Sequence, residues 1–208
     1  MARPVGLILD YGNVLSRPQD QAWLAHAATR LGAGGPAFHA AYWRYRPDYD
    51  AGLPVARYWR AVLAASRPDG DSALSAGDLA WVVDRDLASW GVYHDEVWAL
   101  AADFRRAGGR TALLSNSGPE MMARVRAERP LEALFDAVVI SCEVGMVKPD
   151  PAIYRLCLER IGLPASEVLF VDDRADNLAA ASVAGLRTLH FEGPDAFDRL
   201  RALIGPAA

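Results

Sequence analysis

The sequence predicts an α/β fold, a Rossmann-like parallel sheet with helices between its strands and a helical segment inserted after the first strand. Three observations carry this. Short apolar runs end abruptly in polar residues, helix-length stretches closed by glycine separate them, and the rhythm breaks once, between Ser16 and Trp90.

The first run, Val5-Gly6-Leu7-Ile8-Leu9, has no polar alternation, so both faces of the strand are buried; it stops at Asp10, and Gly12-Asn13 supplies turn chemistry. Residues 16–90 contain no comparable run. Helical patterns dominate there, at residues 21–31 and 55–65, with residues 32–36 a loop. Eleven of the 19 aromatics fall between Trp23 and Tyr93, which suits a small helical bundle that needs large side chains, or a ligand cleft at a domain boundary. The alternation then resumes. Helices are expected over residues 95–107, 120–128, 151–161 and 176–184, with Gly108, Gly162 and Gly185 as stops. Strands at 111–114, 137–140 and 168–171 end in Ser115-Asn116, Ser141 and Asp172-Asp173, and a short run at 188–191 completes the sheet. This divides the chain into a core of residues 1–15 and 91–208 and an inserted helical cap of residues 16–90.

With 208 residues, 52% hydrophobic and 23% charged, the chain can bury a substantial core. Its 22 basic and 26 acidic residues give a net charge of −4, which argues against nucleic acid or an anionic membrane as partner. Cys142 and Cys157 are too few for a disulfide framework and lack zinc-site spacing. The run from Val5 to Leu9 is shorter than the roughly 7–15 apolar residues of a secretory signal, so the cytoplasm is the expected location. Among the basic residues, 21 are arginine and one is lysine, Lys148.

In an open parallel sheet, ligands bind beyond the carboxyl ends of the strands. Asp10, Ser115 with Asn116, and Asp172 with Asp173 are therefore expected to share one crevice. Converging carboxylates repel unless a cation relieves them, and an all-oxygen set is hard, which points to Mg²⁺. Asp172-Asp173 can also be read as a helix N-cap pair, Ser115-Asn116-Ser117 as an ordinary turn or an anion cradle, and Lys148 as a solvated residue or a compact counter-charge. The rigid Lys148-Pro149-Asp150-Pro151 setting favours the counter-charge.

In order, Asp10-Tyr11-Gly12-Asn13-Val14-Leu15, Leu113-Leu114-Ser115-Asn116-Ser117, Val147-Lys148-Pro149-Asp150 and Phe170-Val171-Asp172-Asp173 with Asn177 downstream resemble the four motifs of the haloacid dehalogenase-like superfamily of hydrolases. The insertion sits where that family carries a helical cap, and the first motif is similar to that of sugar-phosphatase-like members. The resemblance implies a nucleophilic Asp10 that forms an aspartyl-phosphate. It implies Mg²⁺ held by Asp10, the Gly12 carbonyl and Asp173, with Asp172 nearby. Ser115 and the Asn116 backbone would bind phosphoryl oxygens, and Lys148 would neutralise Asp10 and the transferring group. The implied activity is Mg²⁺-dependent hydrolysis of a small phosphorylated metabolite.

One position departs from the pattern. Phosphatases of the family commonly carry a general acid/base Asp two residues beyond the nucleophile, where this chain has Gly12. Such an acid is worth about 10²–10⁴ in rate. Its absence admits a substrate with a good leaving group, an acid from the cap or from water, or a binding or regulatory protein with little turnover. His26 and His39 are the cap's candidate acids, against ordinary surface roles. Arg44 and Arg46 could contact a sugar or second anionic group, or be solvated on the bundle. Halide displacement from a 2-haloacid is the remaining enzymatic alternative; the paired Asp172-Asp173 would be repulsive there without a metal.

Overall fold

The computed structural model describes residues 3–205. Strand β1 (Gly6–Leu9) is followed by a tight turn over Tyr11–Leu15. Four helices come next: α1 (Ala22–Arg30), α2 (Gly35–Asp50), α3 (Val55–Ser66) and α4 (Ala76–Ser89). The remainder alternates: α5 (Asp95–Arg106), β2 (Arg110–Ser115), α6 (Pro119–Glu128), the single turn α7 (Leu131–Leu134), β3 (Ala137–Ile140) and the single turn α8 (Ser141–Val144). Then come α9 (Pro151–Ile161), β4 (Val168–Asp172), α10 (Ala175–Val183), β5 (Arg187–His190) and α11 (Ala196–Ile204).

The five strands form one parallel sheet in the order β3-β2-β1-β4-β5. β1 is central, its Leu9 level with Leu113 on one side and Val171 on the other. Successive side chains alternate between faces. Leu7 and Leu9 pack with α5, α6 and α11 through Val97, Phe104, Met122, Val125, Leu200 and Ile204. Ile8 packs on the opposite side with Ile153, Tyr154 and Cys157 of α9 and Leu178 and Ala181 of α10. Burial on both faces is why these strands read as unbroken apolar runs.

The helices α1 to α4 have a hydrophobic cluster of their own, built around Leu24, Phe38, Tyr42, Tyr58, Trp59 and Val62. The chain enters and leaves this region side by side: Arg17 donates to the Val92 carbonyl at 2.7 Å, His94 to that of Leu15 at 2.9 Å, and Ser16 bridges Tyr93 antiparallel. Two sequence expectations need correction. The loop at 32–36 is only Gly32 to Gly34, because Gly35 and Pro36 open α2, where a proline's missing N–H costs no helical bond. The last strand lies one residue earlier than expected, at Arg187–His190. Among the described residues, no helix is long and apolar enough to cross a membrane.

Candidate active site

The carboxyl ends of β1, β2 and β4 meet as the strand order requires. β1 delivers Asp10, whose backbone N–H still reaches Val171 O at 3.0 Å before the chain turns. The turn is fixed by Tyr11 N–H donating to Asp10 Oδ1 (2.7 Å), by Ser16 N–H donating to Tyr11 O (2.8 Å), and by Asn13 at φ 58°. Asparagine tolerates that left-handed conformation better than most residues. The same side chain donates from Nδ2 to Asp173 Oδ2 at 2.6 Å, so Asn13 both shapes the loop and orients a carboxylate.

Lys148 is 4% exposed, and its Nζ lies 2.8 Å from Asp10 Oδ1 and 2.7 Å from Asp172 Oδ2. Its backbone is clamped by Asn116: Asn116 Nδ2 donates to Lys148 O at 2.9 Å and Lys148 N–H donates to Asn116 Oδ1 at 2.8 Å. The Asn116 side chain is thus occupied in placing the lysine, a role that its motif position did not reveal. Lys148–Pro149 is a cis peptide.

Asp172 is fully buried and accepts from Lys148 Nζ, from Arg174 N–H at 2.8 Å, and from Asn177 Nδ2 at 3.0 and 3.1 Å to its two oxygens. A carboxylate has about four acceptor sites, and here each is taken. Asp172 therefore holds Lys148 in place, while Asp10 Oδ2 accepts no hydrogen bond among the described residues. Ser115 closes β2 opposite Ile140, almost fully buried, and Asn116 and Ser117 continue it into the cavity wall.

Oxygen atoms of Asp10, Asp172 and Asp173 lie within 4.8 Å of one another. Burial pushes Asp10 up to about 7, the attraction of Lys148 offsetting only part of that and Asp172 adding to it. Burial also lifts Asp173, against the bond from Asn13. Burial alone would lower Lys148, but Asp10 and Asp172 hold its proton above the usual lysine range. Three carboxylates against one ammonium leave an excess of two negative charges. An all-oxygen set with that excess fits a hard divalent cation such as Mg²⁺.

These groups open into a cavity of about 440 Å³ whose lining includes Asp10, Gly12, Asn13, Asn116, Lys148 and Asp173 from the sheet end, and Trp43, Arg46, Asp50 and Trp90 from the inserted region. The two faces are tied together. Ser117 N–H donates to Ser141 Oγ at 2.9 Å, and that hydroxyl donates to the Asp50 carbonyl at 2.5 Å. Tyr49 OH donates to Glu120 at 2.7 Å.

The sequence-predicted cap residues separate sharply. Arg46 is not solvated: its side chain is 11% exposed, with Nε on Asp50 at 3.0 Å and Nη1 on Tyr42 OH at 2.6 Å and Asp86 at 3.3 Å. Arg44 is exposed, over the Tyr45 ring. His26 and His39 are exposed, and neither lines the cavity. Asp50 and Asp86, buried against Arg46, carry no sequence signal that distinguishes them from surface acids.

The fold and this constellation define a class of enzyme. The haloacid dehalogenase-like hydrolase family model matches residues 10–185, and the chain belongs to that family. It is 30% identical to the phosphoserine phosphatase of Thermus thermophilus over 81% of this chain and 71% of that protein. It is 36% identical to an (S)-2-haloacid dehalogenase of a Pseudomonas species over 47% of this chain and 42% of that one. The mouse acyl-CoA dehydrogenase family member 10 is 38% identical over 50% of this chain, which spans only 10% of that longer protein. Among solved structures, a haloacid dehalogenase family enzyme from Bacteroides thetaiotaomicron in complex with magnesium superposes with a TM-score of 0.77 at 18% identity, covering 96% of this chain and 98% of its own.

Proposed function

We propose that the protein is an Mg²⁺-dependent cytoplasmic phosphatase that hydrolyses a small phosphorylated metabolite, such as a sugar phosphate, through an aspartyl-phosphate on Asp10. The observation that carries this reading is the buried ammonium of Lys148 between Asp10 and Asp172, beside a third carboxylate that a single positive charge cannot balance. The phosphoserine phosphatase relative supports the same chemistry. Residues 16–90 would act as the cap that closes the cavity.

Mg²⁺, held by Asp10, the Gly12 carbonyl and Asp173 with Asp172 behind them, would supply charge neutralisation at the phosphoryl oxygens. Asp10 Oδ2, free of hydrogen bonds among the described residues, attacks phosphorus while Oδ1 stays fixed by Lys148 and the Tyr11 N–H. The Asp–O–P bond forms as the ester P–O bond breaks, and water then cleaves the acyl phosphate, releasing phosphate and regenerating Asp10. Ser115 and the Asn116 N–H would hold phosphoryl oxygens during the transfer. At Gly12 a Cβ would lie 3.5 Å from the Trp90 ring, an ordinary contact, so the missing acid reflects the residue and not a lack of space for a side-chain stem. A substrate with a good leaving group suits such a site.

Hydrolysis of p-nitrophenyl phosphate by the wild type, lost in Asp10→Asn and lost again on chelation, is the expected result; activity surviving both changes would sink the reading. The dehalogenase relative favours halide displacement as the second reading, and metal-independent release of chloride from 2-chloropropionate would establish it in place of the first.

A further inference from the structure

Each cation lining the cavity is already matched by carboxylate. Lys148 is held by Asp10 and Asp172, and Arg174 is paired with Asp176. Arg46 is the cation that the inserted region brings to the wall, and it meets two carboxylates, Asp50 through Nε and Asp86 through Nη1. Among the described residues neither acid has another ion-pair partner. With both acids ionised the trio carries a charge of −1, so this wall offers no surplus positive charge.

A carboxylate or second phosphate on the substrate would lose its water against this wall and find no free charge in return. A hydroxyl group meets a different reception. Asp50 Oδ2 and Arg46 Nη2 make no hydrogen bond among the described residues, one an acceptor and the other a donor, and a hydroxyl can satisfy both. The rings of Trp43 and Trp90 line the same wall and can cover the carbon skeleton that carries it.

We infer that the cavity selects an uncharged, hydroxyl-bearing leaving group and rejects a carboxylate-bearing one, with Asp50 the residue that sets the selection by occupying Arg46. The inference rests on the phosphatase reading and deepens it.

Glycerol 3-phosphate and 3-phosphoglycerate form a matched pair, differing by a hydroxymethyl group against a carboxylate. The wild type should turn over the first with a kcat/KM at least about tenfold higher, as like-charge rejection predicts. Asp50→Asn, and independently Asp86→Asn should the first fail to fold, each free Arg46 from one charge and should narrow that ratio several-fold. The same two ligands titrated calorimetrically into Asp10→Asn with Mg²⁺ read the wall without turnover. A wild type that leaves p-nitrophenyl phosphate and both ligands unhydrolysed, while Asp10→Asn still prefers glycerol 3-phosphate tenfold, would overturn the phosphatase reading and leave this one standing. Equal or stronger preference for 3-phosphoglycerate, binding of neither ligand, or a ratio unmoved in every folded variant would overturn it.

Discussion

At the scale of single residues, Lys148 concentrates the electrostatics of the site. Removing one partner from a buried charge cluster costs about 3–5 kcal/mol, because the remaining charges keep their desolvation without compensation. Lys148→Met should therefore lower stability by a few kcal/mol in metal-free chemical denaturation, and Mg²⁺ should recover part of the loss; a midpoint equal to the wild type would contradict the charge balance described above. The lysine was legible in sequence because it stands alone among 21 arginines on a rigid loop. Arg46 was not. It sits two residues from Arg44, about 200° around the same helix, so one guanidinium is buried on Asp50 and Asp86 while the other is solvated. Nothing local distinguishes them. The long-range partner of Arg46, Asp86, is 40 residues away.

At the scale of elements, the strands were legible because burial on both faces leaves a signature that needs no partner to recognise. Helix α2 was hidden. It contains Pro47 in its interior, which argues against a helix locally, and it buries an ion pair where a sequence pattern looks for apolar residues. Packing overrides propensity there, through Phe38, Tyr42 and Tyr49. The C-terminal end of α2 is pressed onto the loop before α6, where a Cβ at Gly118 would meet the Tyr49 ring at 2.3 Å. Gly118→Ala should accordingly cost about 1–3 kcal/mol through overpacking. In a Tyr49→Ala background the same change should cost nearly nothing, and additive costs in the double variant would refute the contact as the cause.

At the scale of the whole molecule, the acidic site makes stability depend on pH, and Mg²⁺ held there would add a dependence on metal. Burial raises Asp10 from 3.8 to about 7, so between those values the folded protein retains a proton that the unfolded chain releases. The stability this contributes is complete below about pH 4 and is lost as pH rises through about 7. Asp173 and Asp50, also lifted by burial, act in the same direction. Metal-free protein should thus lose stability from pH 5 to 7.5 relative to Asp10→Asn, and Mg²⁺ should stabilise the wild type more at pH 7.5 than at 5.5, where protons compete for the oxygens. Urea titrations at the two pH values, with and without Mg²⁺, measure both differences; a metal increment independent of pH would count against the shared site. The central position of β1 bears on how the molecule forms. Leu9 aligns with Leu113 and Val171, so the strand that carries Asp10 must wait for segments about 100 and 160 residues further along the chain. Closing such distant pairings is slow compared with helix formation. During synthesis the inserted helices can collapse on their own aromatics while β1 stays without neighbours, and the cluster of Asp10, Lys148 and Asp172 is assembled only when β4 docks.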